Sequence, residues 1–162
     1  RSGFDPARGT LLRLEGFAAS VGARSDALCA DLRVQPVEVV DGAASRQLWH
    51  AHASAAALVR QPVVWRISVP PGDAPAVLER LQPQGYVLDW GGGLILAGFP
   101  AVDAMRVRGA LASGHATLLK AAAAERTTTA SFQPLAPAAA AAAARLKVAF
   151  DPRNVLNPGR ME

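Results

Sequence analysis

Arg66, Ser68, Asp89, His115 and Thr117 are the residues of this chain whose types and spacing suit chemistry. In residues 62–70, Val63, Trp65, Ile67 and Val69 alternate with Val64, Arg66 and Ser68, the period-2 pattern that sends neighbouring side chains to opposite faces of a sheet. If helices cover the apolar face, Arg66 and Ser68 share the open face with Asp89, His115 and Thr117 from the strand-like runs at 85–90 and 115–120. The set is polar and charged, with one titratable imidazole. A solvated face, common in antiparallel sheets, would give the same pattern unless another domain or subunit covers it.

Other chemistries are poorly supported. His50 and His52 lie two apart in a helix-like segment, so at roughly 100° per residue their side chains diverge by about 200° and cannot share a metal. No metal site is expected, and no GxSxG or comparable nucleophile elbow occurs. Gly91-Gly92-Gly93 joins two strand-like runs and does not open a helix, so it reads as a hairpin turn and not as a phosphate cradle. The dinucleotide fingerprint and the P-loop are absent.

The 162 residues have the size of one domain, able to bury a core. They are 51% hydrophobic and 19% charged, with no apolar run near the roughly 18 residues of a membrane span, so a cytoplasmic protein is expected. The net charge is +4 and the pI about 10.2, but Arg8, Arg24, Arg46, Arg60, Arg106 and Arg126 are scattered. Nucleic acid would want a basic stripe or a known module, and no nucleic-acid partner is expected. The single cysteine, Cys29, excludes an internal disulfide and reads as a structural thiol in a helix.

The elements that must position the polar set follow from periodicity and breakers. Residues 10–15 read as a strand, residues 17–32 as a helix, 35–40 as a beta-branched strand and 44–58 as a helix. Strand 62–70 ends at Pro70-Pro71-Gly72; Asp73 and Pro75 then open a short helix carrying Val77, Leu78 and Leu81. A hairpin over 85–99, a helix over 101–113 stopped by Gly114, and a strand over 115–120 complete the order strand, helix, strand, strand, helix, strand. That order predicts an α+β, ferredoxin-like antiparallel sheet with helices on one face, extended by the amino-terminal βαβ unit. Residues 121–129 read as a loop, and alanine-rich 138–150 as a last helix.

After that helix the chain closes with FDPRNVLNPGRME, in which two prolines following Asp151 and Asn157 and a glycine forbid further helix. The string resembles the carboxyl end of FAD-linked oxidases of the vanillyl-alcohol oxidase type. LLRLEGFAASVGARSDAL from Leu11, VVWRISVPPG from Val63, Asp89-Trp90-Gly91-Gly92, GHATLLKA from Gly114 and FQPL from Phe132 resemble, in the same order, the FAD-binding subunit of bacterial glycolate oxidase. The likeness runs over nearly the whole chain.

The resemblance implies a two-domain flavoprotein in which residues 1–162 form the carboxyl-terminal cap (substrate) domain, with the FAD-binding domain preceding residue 1. It implies FAD as cofactor of the full-length protein and a small 2-hydroxy acid as substrate. The implied partners are the chain's own FAD domain and other oxidase subunits, including an iron-sulfur subunit, through which any membrane association would arise. In that setting Arg66 would pair with the substrate carboxylate and His115 would take the 2-hydroxyl proton. Asn157, Pro158 and Gly159 would hold the tail against the FAD domain or flavin edge, and the tail would fray without them. One departure is recorded: the GEHG-type segment of related 2-hydroxy-acid dehydrogenases is missing, and the large glycolate oxidase subunit carries it, so an electron-relaying subunit is the other role implied. The alternative from a different class is a stand-alone ferredoxin-like binding or oligomerisation module without redox activity.

Overall fold

The computed structural model describes residues 2–5, 7, 9–36 and 38–159. Strands β1 (Ser2–Asp5), β2 (Gly9–Leu12), β3 (Val63–Ser68), β4 (Gly85–Asp89), β5 (Leu94–Phe99) and β6 (His115–Lys120) form one sheet in the order β2-β1-β4-β5-β3-β6, with every pairing antiparallel. The last four strands, with α3 (Ala74–Leu81) and α4 (Ala104–Gly109), realise the ferredoxin-like order. Helices α1 (Ala18–Leu32), α2 (Gly42–Ala53), α5 (Ala123–Thr128) and α6 (Pro137–Phe150) complete the α+β fold.

The core lies where alternation puts it. Val63, Trp65, Ile67 and Val69 of the β3 segment meet Ile95, Ala97, Phe99, Ala116 and Leu118 from the neighbouring strands, under Ala74, Val77 and Leu81 of α3 and Val107 of α4. Each large side chain buried this way contributes about 1.5–3 kcal/mol. Asp103 starts α4 by accepting from the Arg106 amide (2.9 Å), which shortens the expected helix 101–113. Asp73 makes no such cap; a 3₁₀ turn at Pro71–Asp73 leads into α3 instead.

The amino-terminal extension differs from the expected βαβ unit. It is a β1–β2 hairpin, with β1 paired on β4, and none of the described residues among 35–40 is in a strand. The beta-branched run there has no place beside β1, because β2 occupies it, and Pro36 removes a ladder donor. Residues 121–129 hold a short helix, α5, where a loop was expected: Glu125 turns back and accepts from the Ala122 amide (3.0 Å).

The second face of the sheet is covered at one end only. Gly3, Gly85 and Gly98 leave room there for α2 and the 3₁₀ turn at Ala56–Leu58; an added Cβ would lie 2.4 Å from the His52 imidazole, 3.3 Å from Leu58 and 2.4 Å from Gln61 respectively. The chain breaks between α2 and the turn at Ala55, which takes a left-handed φ of 51°, where an unbroken helix over 44–58 was expected.

β6 enters the sheet through a closer contact. Gly114 has φ 92°, and a Cβ there would lie 2.0 Å from the Ser68 carbonyl oxygen. Gly114→Ala is therefore expected to destabilise the fold by at least about 2 kcal/mol, combining left-handed strain with a backbone clash. Denaturant unfolding of the variant against the parent checks this.

Candidate functional site

Strand register carries one row of residues across the second face of the sheet, from the end that α2 covers to the open end: Leu11, Gly3, Asp89, Leu94, Ser68 and His115, each the pairing partner of the next. The next row includes Val87, Leu96, Arg66 and Thr117. Ser68 thus stands beside His115, and Arg66 beside Thr117, at the roughly 5 Å spacing of adjacent strands. Four of the five side chains that sequence placed on one face are neighbours at the β3–β6 end, away from the part that α2 covers. Asp89 lies two strands from Ser68, about 10 Å across the sheet.

Their states differ. Asp89 is buried and committed to the β4–β5 turn, where Oδ1 accepts from the Trp90 amide (2.8 Å). Arg66 is half-buried, with no hydrogen bond or ion pair among the described residues. Its guanidinium carbon lies 5.3 Å from the centroid of the Trp90 ring. Thr117 is half-buried, and His115 is exposed at the outermost strand. This geometry can bind a carboxylate or other oxyanion through the guanidinium fork, with hydroxyls to either side and an imidazole one strand away.

The outer edge of β6 is closed by the chain itself. The Leu118 amide donates to the Ser131 carbonyl (2.8 Å) and the Ala116 amide to Gln133 Oε1 (2.9 Å). Arg108 holds this strap: its Nη2 donates to the carbonyls of Ala130 (2.7 Å) and Phe132 (2.9 Å), while its guanidinium lies over the buried Trp65 ring. Burial lowers the Arg108 pKa from its ordinary value. Nothing in the spacing around Arg108 announces this role.

The two histidines of α2 diverge as helix geometry requires: His50 is exposed and His52 is 5% exposed, edge-on to Trp49. Among the described residues no three His, Cys, Asp or Glu side chains converge on a metal position, and no helix is long and apolar enough to cross a membrane.

Asn157, Pro158 and Gly159 are exposed, and no hydrogen bond among the described residues ties residues 151–159 to the sheet. Before them, residues 151–156 fold back on Asp151, whose Oδ1 accepts from the Val155 amide and whose Oδ2 accepts from the Leu156 amide, each at 2.9 Å. The Lys147 ammonium donates to the same carboxylate and to the Leu156 carbonyl (2.9 Å). A lysine four residues before an aspartate at a helix end is the sequence signal of this knot, beside the more conspicuous prolines.

Comparison with protein-family models, curated proteins and solved structures finds no match to this chain. The family resemblance is carried by the motifs alone.

The Asp151 knot has an acid limit. The Lys147 ammonium, then the Leu156 and Val155 amides, lower its carboxyl pKa from 3.8 to about 2, against desolvation that works the other way. A depressed folded-state pKa means the contribution is complete above 3.8 and is lost as the pH falls through about 2. Acid titration of the Val155 and Leu156 amide signals is expected to follow that window, and Asp151→Ala is expected to remove their exchange protection at neutral pH. Protection that persists in Asp151→Ala would refute the knot.

Proposed function

We propose that this chain is the substrate-covering domain of a flavin-dependent 2-hydroxy-acid oxidoreductase of the glycolate oxidase type, with Arg66 holding the substrate carboxylate. The observation that carries the proposal is Arg66 itself: a half-buried guanidinium without a hydrogen bond or ion pair among the described residues, on the uncovered end of the sheet. Its donors reach solvent and are not committed to any described group, and a bidentate carboxylate suits the planar fork. The motif likeness supplies the reaction class.

In this reading Ser68 and Thr117 flank the bound carboxylate, and His115 accepts the 2-hydroxyl proton while the C2 hydride leaves, giving a 2-oxo acid. FAD, when bound by the preceding domain, supplies the two-electron acceptor. In this reading the uncovered end of the sheet would offer the substrate side of that cofactor an anion ligand and an imidazole, and exposed Asn157 to Gly159 would lie at its rim. An iron-sulfur subunit would receive the electrons afterwards.

The test is the protein expressed with its upstream coding sequence. Bound flavin is expected in the visible spectrum, and a colourless protein indifferent to added FAD would sink the proposal. In the flavin-bearing protein, Arg66→Met is expected to raise KM for a 2-hydroxy acid by about 10–100-fold, the loss of a charge-assisted pair. The 162-residue chain alone, given glycolate and an artificial electron acceptor, is expected to show no turnover.

A further inference from the structure

We infer that Trp90 is the positioning residue of the anion site: it fixes the Arg66 fork for a monocarboxylate, and its strained backbone is what aims the indole at that fork. The inference rests on the proposed carboxylate role of Arg66. Three observations carry it.

The first is the conformation of Trp90. It opens the four-residue β4–β5 connection with φ 55°, followed by Gly91 at 65° and Gly92 at 102°. A left-handed turn of this kind favours glycine or asparagine at its first position, and a bulky aromatic there is an outlier costing energy. Gly91 to Gly93 show that the loop has glycines in supply, yet the strained position holds tryptophan.

The second is what the strain achieves. Trp90 is 58% exposed, unlike Trp49 and Trp65, so core packing does not account for it. Instead its indole lies against the Arg66 guanidinium. Asp89 locks the aim by accepting from the Trp90 amide, and Gly92 fits against the Pro71 carbonyl, where a Cβ would come within 3.0 Å. The third is that Arg66 has no hydrogen bond or ion pair among the described residues, so the ring fixes its orientation while its donors remain free.

The experiment uses this chain and reads carboxylate binding without flavin, by fluorescence and NMR titration with lactate, with lactamide and inorganic phosphate as controls. Lactate is expected to bind more tightly than lactamide or phosphate, and to perturb Trp90 and Arg66. Trp90→Gly is expected to weaken lactate binding about two- to fivefold, the worth of an exposed cation–π contact, while its Tm stays level or rises as strain is relieved. Trp90→Tyr is expected to bind within about twofold of the parent. A Trp90→Gly variant that binds lactate as well as the parent does, while Arg66→Met fails to bind, would overturn the inference and leave the carboxylate role of Arg66 standing. Absence of lactate binding in the parent would overturn both. A Trp90→Tyr that binds no better than Trp90→Gly would also overturn the inference, because the aromatic face would then have no part.

Discussion

The placement of the candidate residues on the sheet depends on the alternation of β3. Val63, Trp65 and Ile67 are sealed against α3 and α4, so the strand cannot slip by one residue without expelling an indole and two aliphatic side chains from the core. That constraint, and not any property of the polar residues, turns Arg66 and Ser68 outward. It then propagates sideways. β5 and β6 take their register from β3, which sets Thr117 against Arg66 and His115 against Ser68. The polar cluster is a by-product of core packing on the reverse side, and this gives it rigidity.

The uncovered area is limited by devices at its margins. Glycines at 3, 85 and 98 admit α2 and the following turn over one end, and the strap from Ala130 to Gln133 closes the β6 edge. The strap answers a general hazard, since an open edge offers unpaired amides to any other strand. Between these margins the face bearing Arg66 is bounded but not filled. Gly114 links the two demands, because its close approach to the Ser68 carbonyl is what lets β6 begin its pairing at His115.

The ferredoxin-like part of this arrangement was legible in the residues, and the reason is physical. From Val63 onward each element is both periodic and punctuated: prolines end β3, glycines turn the β4–β5 hairpin, and Gly114 precedes β6. Residues 1–62 lack that agreement. SGFD shows no full alternation, so β1 was invisible, while the beta-branched run at 35–40 looked like a strand but had no ladder position left. Of the site, Arg66, Ser68, Thr117 and His115 could be placed by parity alone. Trp90 could not, because its value lies in a backbone angle that the glycines around it disguise.

Satisfaction of hydrogen-bonding capacity separates the charged residues by purpose. Asp151 and Asp89 are both buried, and both spend their carboxylates on nearby amides, one closing the tail and the other the β4–β5 turn. Arg108 spends its guanidinium on the carbonyls of the strap. Each is a structural solution to orphan backbone groups. Arg66 is the contrary case: it lies on a rigid strand, is held by an aromatic ring and has no backbone group to satisfy. Folding accounts for the position of its guanidinium but, among the described residues, spends none of its donors, which are left to solvent or to whatever covers this end of the sheet.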